Sequence, residues 1–106
     1  MKTINDFNFK VKNGQIFTNE EENLIAFIEK NAVEIVGFGQ DEHSLTGTPT
    51  VAVFRMAKEN HVEYKGSMCE AITIYYNSNE MFLTDDFADA VDFEENINKR
   101  GRGFRF

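Results

Sequence analysis

The sequence lacks the residues and segments that mark several specialised classes of protein. It has no Trp, one Pro and one cysteine, Cys69, so no disulfide can form within the chain. No apolar run approaches the roughly 18 residues that a transmembrane helix needs. Residues 1–6 are too polar for a secretory signal. Together these absences predict a cytoplasmic protein with no membrane partner.

Basic residues are scarce as well, and they are unevenly distributed. Eleven Lys and Arg stand against eighteen Asp and Glu, which gives a net charge of −7. Four of the eleven lie in the last eight positions, so residues 1–98 hold seven basic and eighteen acidic residues, a net charge of −11. A body this negative repels nucleic acid and anionic membranes and attracts basic protein surfaces. The predicted organisation is a single α+β domain over 1–99 and a basic C-terminal tail over 100–106.

Large aromatic side chains are abundant: the 106 residues include eleven Phe and three Tyr. Apolar and polar residues alternate over Phe7–Val11, and Asn13-Gly14 favours a type I′ turn before Gln15–Phe17 returns as a second strand. The run Thr18-Asn19-Glu20-Glu21 has the form of a capping box whose first residue is the N-cap. It predicts a helix over 19–31. One side of that helix is apolar, so we expect that side to pack against a sheet.

The remainder of the chain is predicted to form strands joined by turns, and then a second helix. Strands rich in β-branched and aromatic residues are predicted over 32–38, 50–57, 62–65, 71–76 and 81–83. Thr84 caps a helix that ends near Gly101, with Asp85 and Asp86 in its first turn. The predicted fold class is α+β, a mostly antiparallel sheet of five or six strands with two helices packed on one face.

Potential metal ligands and nucleophiles occur without the spacing of a known site. Residues 85–89, Asp-Asp-Phe-Ala-Asp, match the DDxxD string with which some prenyl-transfer enzymes hold magnesium, but the helix dipole alone favours acids at a helix start. His43, His61 and Cys69 lack the paired spacing of zinc ligands. A lone cysteine entering a strand is usually a small buried residue. We therefore predict no metal, no cofactor and no catalytic residue.

The tail, residues 100–106, alternates arginine with glycine and phenylalanine. Such segments bind RNA through charge and stacking, yet one short copy on an acidic body makes a weak nucleic-acid site. Two alternatives stay open: the arginines contact the acidic surface of their own chain, or they dock on a partner protein. The acidic body disfavours a nucleic-acid partner in either case.

Clusters of carboxylates are the most informative surface feature. The predicted partner-binding residues are Glu20, Glu21, Glu22, Asp41, Glu42, Asp85, Asp89, Asp92, Glu95, Arg102 and Arg105. Rows of carboxylates imitate the spacing of phosphates, although the same residues also keep a Phe-rich protein in solution. The prediction is a small acidic, non-enzymatic binding protein that docks on a basic surface of a larger protein. An inhibitor or nucleic-acid mimic of phage or mobile-element type is an example.

A second hypothesis belongs to a different class of function. It is a ligand-binding or catalytic α+β domain with a pocket between sheet and helices, lined by Tyr64, Tyr75, Tyr76 and His61, with Cys69 as a nucleophile. Salt distinguishes the two, because docking through exposed carboxylates weakens as ionic strength rises. The oligomeric state is left open by both hypotheses.

Overall fold

The computed structural model describes residues 2–40, 49–84, 87 and 103–105, and for 38–40, 49 and 103–105 it describes the backbone. The elements in chain order are a 3-10 turn (Ile4–Asp6), β1 (Lys10–Lys12), β2 (Gln15–Phe17), α1 (Glu21–Asn31), β3 (Ala32–Gln40), β4 (Pro49–Met56), a second 3-10 turn (Lys58–Asn60), β5 (Val62–Tyr64), β6 (Ser67–Cys69), β7 (Ala71–Tyr75), β8 (Glu80–Thr84) and β9 (Gly103–Arg105). The predicted strands all occur, with ends that differ by no more than three residues.

One large sheet dominates the structure. Its strand order is β1-β2-β8-β7-β4-β3-β9, and every neighbouring pair is antiparallel. Strands β5 and β6 form a separate two-stranded sheet. The predicted α+β class with a mostly antiparallel sheet is therefore confirmed. Six of the strands come from the body of the chain, and the short β9 adds a seventh at one edge.

Two tight turns place non-glycine residues at positive φ. Asn13 (53°) and Gly14 (81°) join β1 to β2, and Lys65 (53°) and Gly66 (80°) join β5 to β6. Two consecutive residues at positive φ are the type I′ geometry, whose twist matches that of the paired strands. The predicted Asn-Gly hairpin is confirmed.

One face of the large sheet, here called the first face, holds most of the core. Side chains alternate along a strand, so Phe54, Ile72 and Met81 lie on the same side of the sheet, and none is more than 2% exposed. Helix α1 covers this face with Leu24 and Ile28, both fully buried. The predicted amphipathic helix is thus confirmed in its position over a sheet.

Helix α1 begins two residues later than predicted, and it does not begin with a capping box. The N-cap position is Glu20, and no side chain makes a capping hydrogen bond there. The Thr18 hydroxyl oxygen accepts a hydrogen bond from the backbone N–H of Glu20 at 3.0 Å and donates one to the carbonyl of Asn8 at 2.8 Å. The predicted cap is wrong because the Thr18 hydroxyl instead links Glu20, just before the helix, to Asn8 in the N-terminal segment.

The opposite face of the sheet, here called the second face, is covered at its middle by Phe87. Val36, Val53 and Ala71 form a buried cluster with Phe87, which is 4% exposed. These three residues alternate with first-face residues, so Phe87 lies on the side of the sheet away from α1. The prediction that both helical segments pack on one face is wrong. The central strands are apolar on both sides, and both sides need cover.

Within the described part of the chain, α1 is the one helix with defined ends, where the sequence predicted two. The segment predicted to form the second helix, from Thr84 to near Gly101, lies outside the described residues apart from Thr84 and Phe87.

Part of the predicted tail belongs to the sheet. The backbone of β9 pairs with β3, with Gly103 opposite Phe38 and Arg105 opposite Val36. This backbone pairing places residues 103–105 beside β3 of their own chain. The two alternatives for the arginine side chains stay predictions. The division of the chain into 1–99 and 100–106 stays a prediction.

Candidate functional site

Three of the predicted partner-binding residues have described side chains, and all three lie at the start of α1. Glu21 and Glu22 are exposed, whereas Glu20 is half-buried and accepts a hydrogen bond from the backbone N–H of Asn8 at 3.3 Å. Outside the described residues lie Asp41, Glu42, Asp85, Asp89, Asp92, Glu95 and Arg102. For Arg105 the structure describes the backbone, within β9. We call Glu20, Glu21 and Glu22 the acidic helix start.

The structure does not bring the described members of the predicted site together. The bond from Asn8 to Glu20 attaches the acidic helix start to the segment just before β1, at one edge of the large sheet. Arg105 is in β9, the strand at the opposite edge. The acidic helix start and the backbone of Arg105 are therefore attached to opposite edges of the large sheet.

An open cleft lies beside the acidic helix start. Its volume is about 550 Å³, and its lining is Asn8, Phe9, Lys10, Gln15, Ile16, Phe17, Thr18, Asn19, Glu21, Asn79 and Glu80. A smaller hollow of about 320 Å³, lined by residues 19–23, shares Asn19 and Glu21 with the cleft. Phe17 is 48% exposed. The cleft thus combines an exposed aromatic ring with the carboxylates of Glu21 and Glu80.

The carboxylate of Glu80 is held in place by two side chains. The Ser78 hydroxyl donates to Oε1 at 2.8 Å, and the amide Nε2 of Gln15 donates to Oε2 at 3.2 Å. Each oxygen therefore has one donor, and a carboxylate offers about four lone-pair positions. An exposed carboxylate fixed in this way still has acceptor positions directed at solvent.

Three aromatic rings surround Glu80 on the second face. Tyr75 is the cross-strand partner of Glu80 and is 42% exposed. The rings of Tyr75 and Phe82 meet edge to face, with centroids 5.4 Å apart and an interplanar angle of 86°. The register pairs Gln15 with Phe82 and Ile16 with Met81, and one more step along it puts Phe17 opposite Glu80. Both residues line the cleft. We call Phe17, Tyr75 and Phe82 the aromatic patch.

Glu80, Phe17 and Phe82 were not predicted as site residues, and Tyr75 was predicted only to line the pocket of the second hypothesis. Alternation along 71–76 and 80–84 does separate Tyr75 and Phe82 from the buried Ile74 and Met81, and this was the available signal. The pairing of β2 with β8, which brings Phe17 to Glu80, joins segments far apart in the chain. No local pattern encodes that pairing.

The residues of the second hypothesis do not line the cleft or the hollow beside the acidic helix start. Neither cleft includes Tyr64, Tyr75, Tyr76, His61 or Cys69. Tyr75 and Tyr76 are consecutive and lie on opposite faces of the sheet, as the alternation predicted. The Nε2 atom of His61 is 2.9 Å from the carbonyl oxygen of Met56. Cys69 is 7% exposed, which agrees with its predicted packing role.

Tyr76 joins β7 to α1 across the first face. Its hydroxyl donates to Oε2 of Glu29 at 2.8 Å. Burial, and then the hydrogen bond and the negative charge of Glu29, raise the pKa of Tyr76 well above its ordinary value. A tyrosine that holds its proton this firmly ties the helix to the sheet and is not suited to general base chemistry.

The described part of the chain contains neither a cluster of metal ligands nor a membrane-spanning helix. No three His, Cys, Asp or Glu side chains among these residues lie close enough to hold a metal ion. No helix among them is long and apolar enough to cross a membrane. The DDxxD string at 85–89 lies outside the described residues except for Phe87.

Comparison with known proteins adds no relative. No family model matches the chain, no curated protein sequence matches it, and no solved structure matches its fold. The function must therefore be argued from the acidic helix start, the cleft and the aromatic patch.

Proposed function

We propose that this chain is a small acidic, non-enzymatic binding protein of the cytoplasm that docks on a basic surface of a larger protein. An inhibitor or nucleic-acid mimic of phage or mobile-element type is an example of this class. The observation that supports the proposal is the open cleft in which the carboxylates of Glu21 and Glu80 accompany the exposed ring of Phe17.

Carboxylates and an exposed ring provide complementary contributions to docking. The net charge of −7 accelerates encounter with a basic surface and disfavours acidic partners. Burial of the exposed part of Phe17 on association supplies apolar contact area, which charge alone does not. An open cleft suits a protruding side chain of a partner, whereas small-molecule sites are usually more enclosed.

Affinity capture with a matched pair of variants tests the proposal. The full chain is immobilised, exposed to lysate of the cells that produce it, and the captured proteins are identified by mass spectrometry. The main partner is then purified and titrated by calorimetry against the double variant Glu21→Gln with Glu22→Gln. Loss of two exposed carboxylates at the site should weaken binding about tenfold or more, and raising salt from about 50 to about 500 mM should weaken it further.

The control is the double variant Glu59→Gln with Glu63→Gln. Both residues are exposed carboxylates near β5, away from the cleft, and the change in net charge is identical. This variant should change the affinity by about twofold or less, because screened distant charges contribute little. Equal weakening by both double variants, or an affinity that does not depend on salt, would contradict the proposal.

A further inference from the structure

We propose that Glu80 and the aromatic patch form a binding site for the guanidinium group of an arginine side chain on the partner. The inference rests on the proposed function, because it names the chemical group of the basic surface that this site recognises. Charge complementarity selects this occupant, because the site presents a carboxylate. A fixed carboxylate bordered by exposed rings attracts a flat cation.

The sheet register places Glu80 between two exposed rings. Tyr75 is opposite Glu80 on β7, and Phe17 is opposite it on β2 when the register of Gln15 with Phe82 is continued by two residues. Neighbouring strands are about 4.8 Å apart, so each ring lies beside the carboxylate on its own side. Phe82, two residues along β8, contacts Tyr75 edge to face and fixes one side of the site.

The hydrogen bonds of Glu80 favour arginine over lysine. Ser78 and Gln15 each use one acceptor position, on different oxygens, and hold the carboxylate still. The remaining positions on both oxygens can accept two parallel N–H groups, which a guanidinium presents and an ammonium does not. The planar guanidinium also stacks on aromatic faces. Holding the carboxylate in advance reduces the ordering that binding requires.

Two nearby features bear on the choice of occupant. The backbone of Lys10 is opposite Phe17 on β1, about two strand spacings, roughly 10 Å, from the backbone of Glu80. Lys10 also lines the cleft, so its exposed ammonium repels a bound arginine, and salt reduces this repulsion. Exposed rings also stack on the bases of single-stranded nucleic acid, but a carboxylate in the middle of the patch repels the phosphates.

The experiment is an NMR titration of the full chain with a defined probe. The probe is N-acetylarginine amide, and its uncharged isostere N-acetylcitrulline amide is the matched control ligand. We expect the arginine probe to shift the backbone amide signals of β2, β7 and the start of β8, with a dissociation constant in the millimolar range or weaker. The citrulline probe should shift these signals little.

Variants assign the binding to particular groups. Glu80→Gln keeps the size of the side chain and removes its charge, and should weaken arginine binding about tenfold or more. Phe17→Leu keeps an apolar side chain and removes the ring, and should weaken binding about threefold. Glu63→Gln, in exposed β5, should leave the affinity unchanged. Amide spectra of the free variants establish that each is folded.

Three outcomes would overturn the inference: no binding of the arginine probe, equal binding of the citrulline probe, or arginine binding that Glu80→Gln does not weaken. Shifts of the same signals by oligothymidylate without shifts by arginine would assign the patch to nucleic acid. Failure here is distinct from failure of the proposed function. If only this inference fails, the partner still binds in a salt-dependent way, and the Glu21→Gln, Glu22→Gln double variant still weakens that binding. If only the proposed function fails, the arginine probe still binds at Glu80, although binding of the partner does not depend on salt.

Discussion

The two faces of the large sheet use the same kinds of residue in different ways. On the first face, Phe54, Ile72 and Met81 are sealed beneath α1 and the N-terminal segment. On the second face, burial is concentrated under Phe87, over Val36, Val53 and Ala71, and along β2, β8 and β7 aromatic rings remain in contact with solvent.

The difference indicates which surface is free to carry function. Stability of a sheet of this size comes mainly from apolar area removed from water, and the first face supplies most of that area. The exposed rings of Phe17 and Tyr75 contribute less to folding because much of their area stays in water. Substitutions in the aromatic patch should therefore change binding with little effect on the fold.

The largest expected effect tests this comparison directly, with one phenylalanine from each face. Phe54 is 2% exposed on the first face, whereas Phe82 is half-buried on the second. Phe54→Ala should lower the free energy of unfolding by about 3–5 kcal/mol, because it removes the buried ring and leaves a cavity. Phe82→Ala should lower it by about 1 kcal/mol. Urea denaturation followed by circular dichroism measures both.

A milder variant keeps this test informative if Phe54→Ala does not fold. Ile72→Val removes one buried methyl group beside Phe54 and should cost about 1 kcal/mol. Equal losses for Phe54→Ala and Phe82→Ala would show that the second face contributes as much to stability as the first, and the comparison would fail.

An intermediate loss of stability is expected where the N-terminal segment packs on the first face. Asn60 is 6% exposed, and its Oδ1 accepts a hydrogen bond from the buried backbone N–H of Ile4 at 2.9 Å. Asn60→Ala leaves that N–H without its partner and should cost about 1–3 kcal/mol. Asn5→Ala removes an exposed hydrogen bond to the carbonyl of His61 and should cost about 0.5 kcal/mol or less. Thermal melts of the two variants should rank in this order, and the reverse order would contradict the role given to Asn60.

Much of the fold could be predicted from local pattern. Asn13-Gly14 specifies a type I′ turn because of its tolerance of positive φ, and period-two alternation specifies β7 and its two faces. The capping box failed because Thr18 has a competing acceptor, the Asn8 carbonyl, that is distant in sequence. The assignment of Phe87 to the face of α1 failed for a related reason. Periodicity shows that a segment has an apolar face but not which side of the sheet that face covers.

Less of the candidate site could be predicted. The charge arithmetic directs attention to exposed carboxylates, and one of those named, Glu21, lines the cleft. Glu80 and Phe17 come together through the pairing of β2 with β8, a contact between residues some sixty positions apart that composition and spacing do not encode. Glu80 becomes distinctive only through the donors Ser78 and Gln15, and the second of these is also a product of that pairing.

The smallest expected effect distinguishes the two adjacent tyrosines, Tyr76 on the first face and Tyr75 on the second. Tyr76→Phe removes the hydrogen bond to Glu29 and should cost no more than about 1 kcal/mol near neutral pH, because the bond is exposed. The matched control, Tyr75→Phe, removes a neighbouring hydroxyl without touching that bond.

Because the pKa of Tyr76 is raised in the folded chain, the folded state keeps a proton that the unfolded state releases above about pH 10. The stability of the parent should therefore fall as pH rises above that value, and Tyr76→Phe should remove that part of the fall. Urea midpoints measured between about pH 8 and pH 11 test this. If the midpoints of the parent and of Tyr76→Phe fall in parallel as pH rises, the Tyr76–Glu29 bond does not cause the loss of stability at high pH.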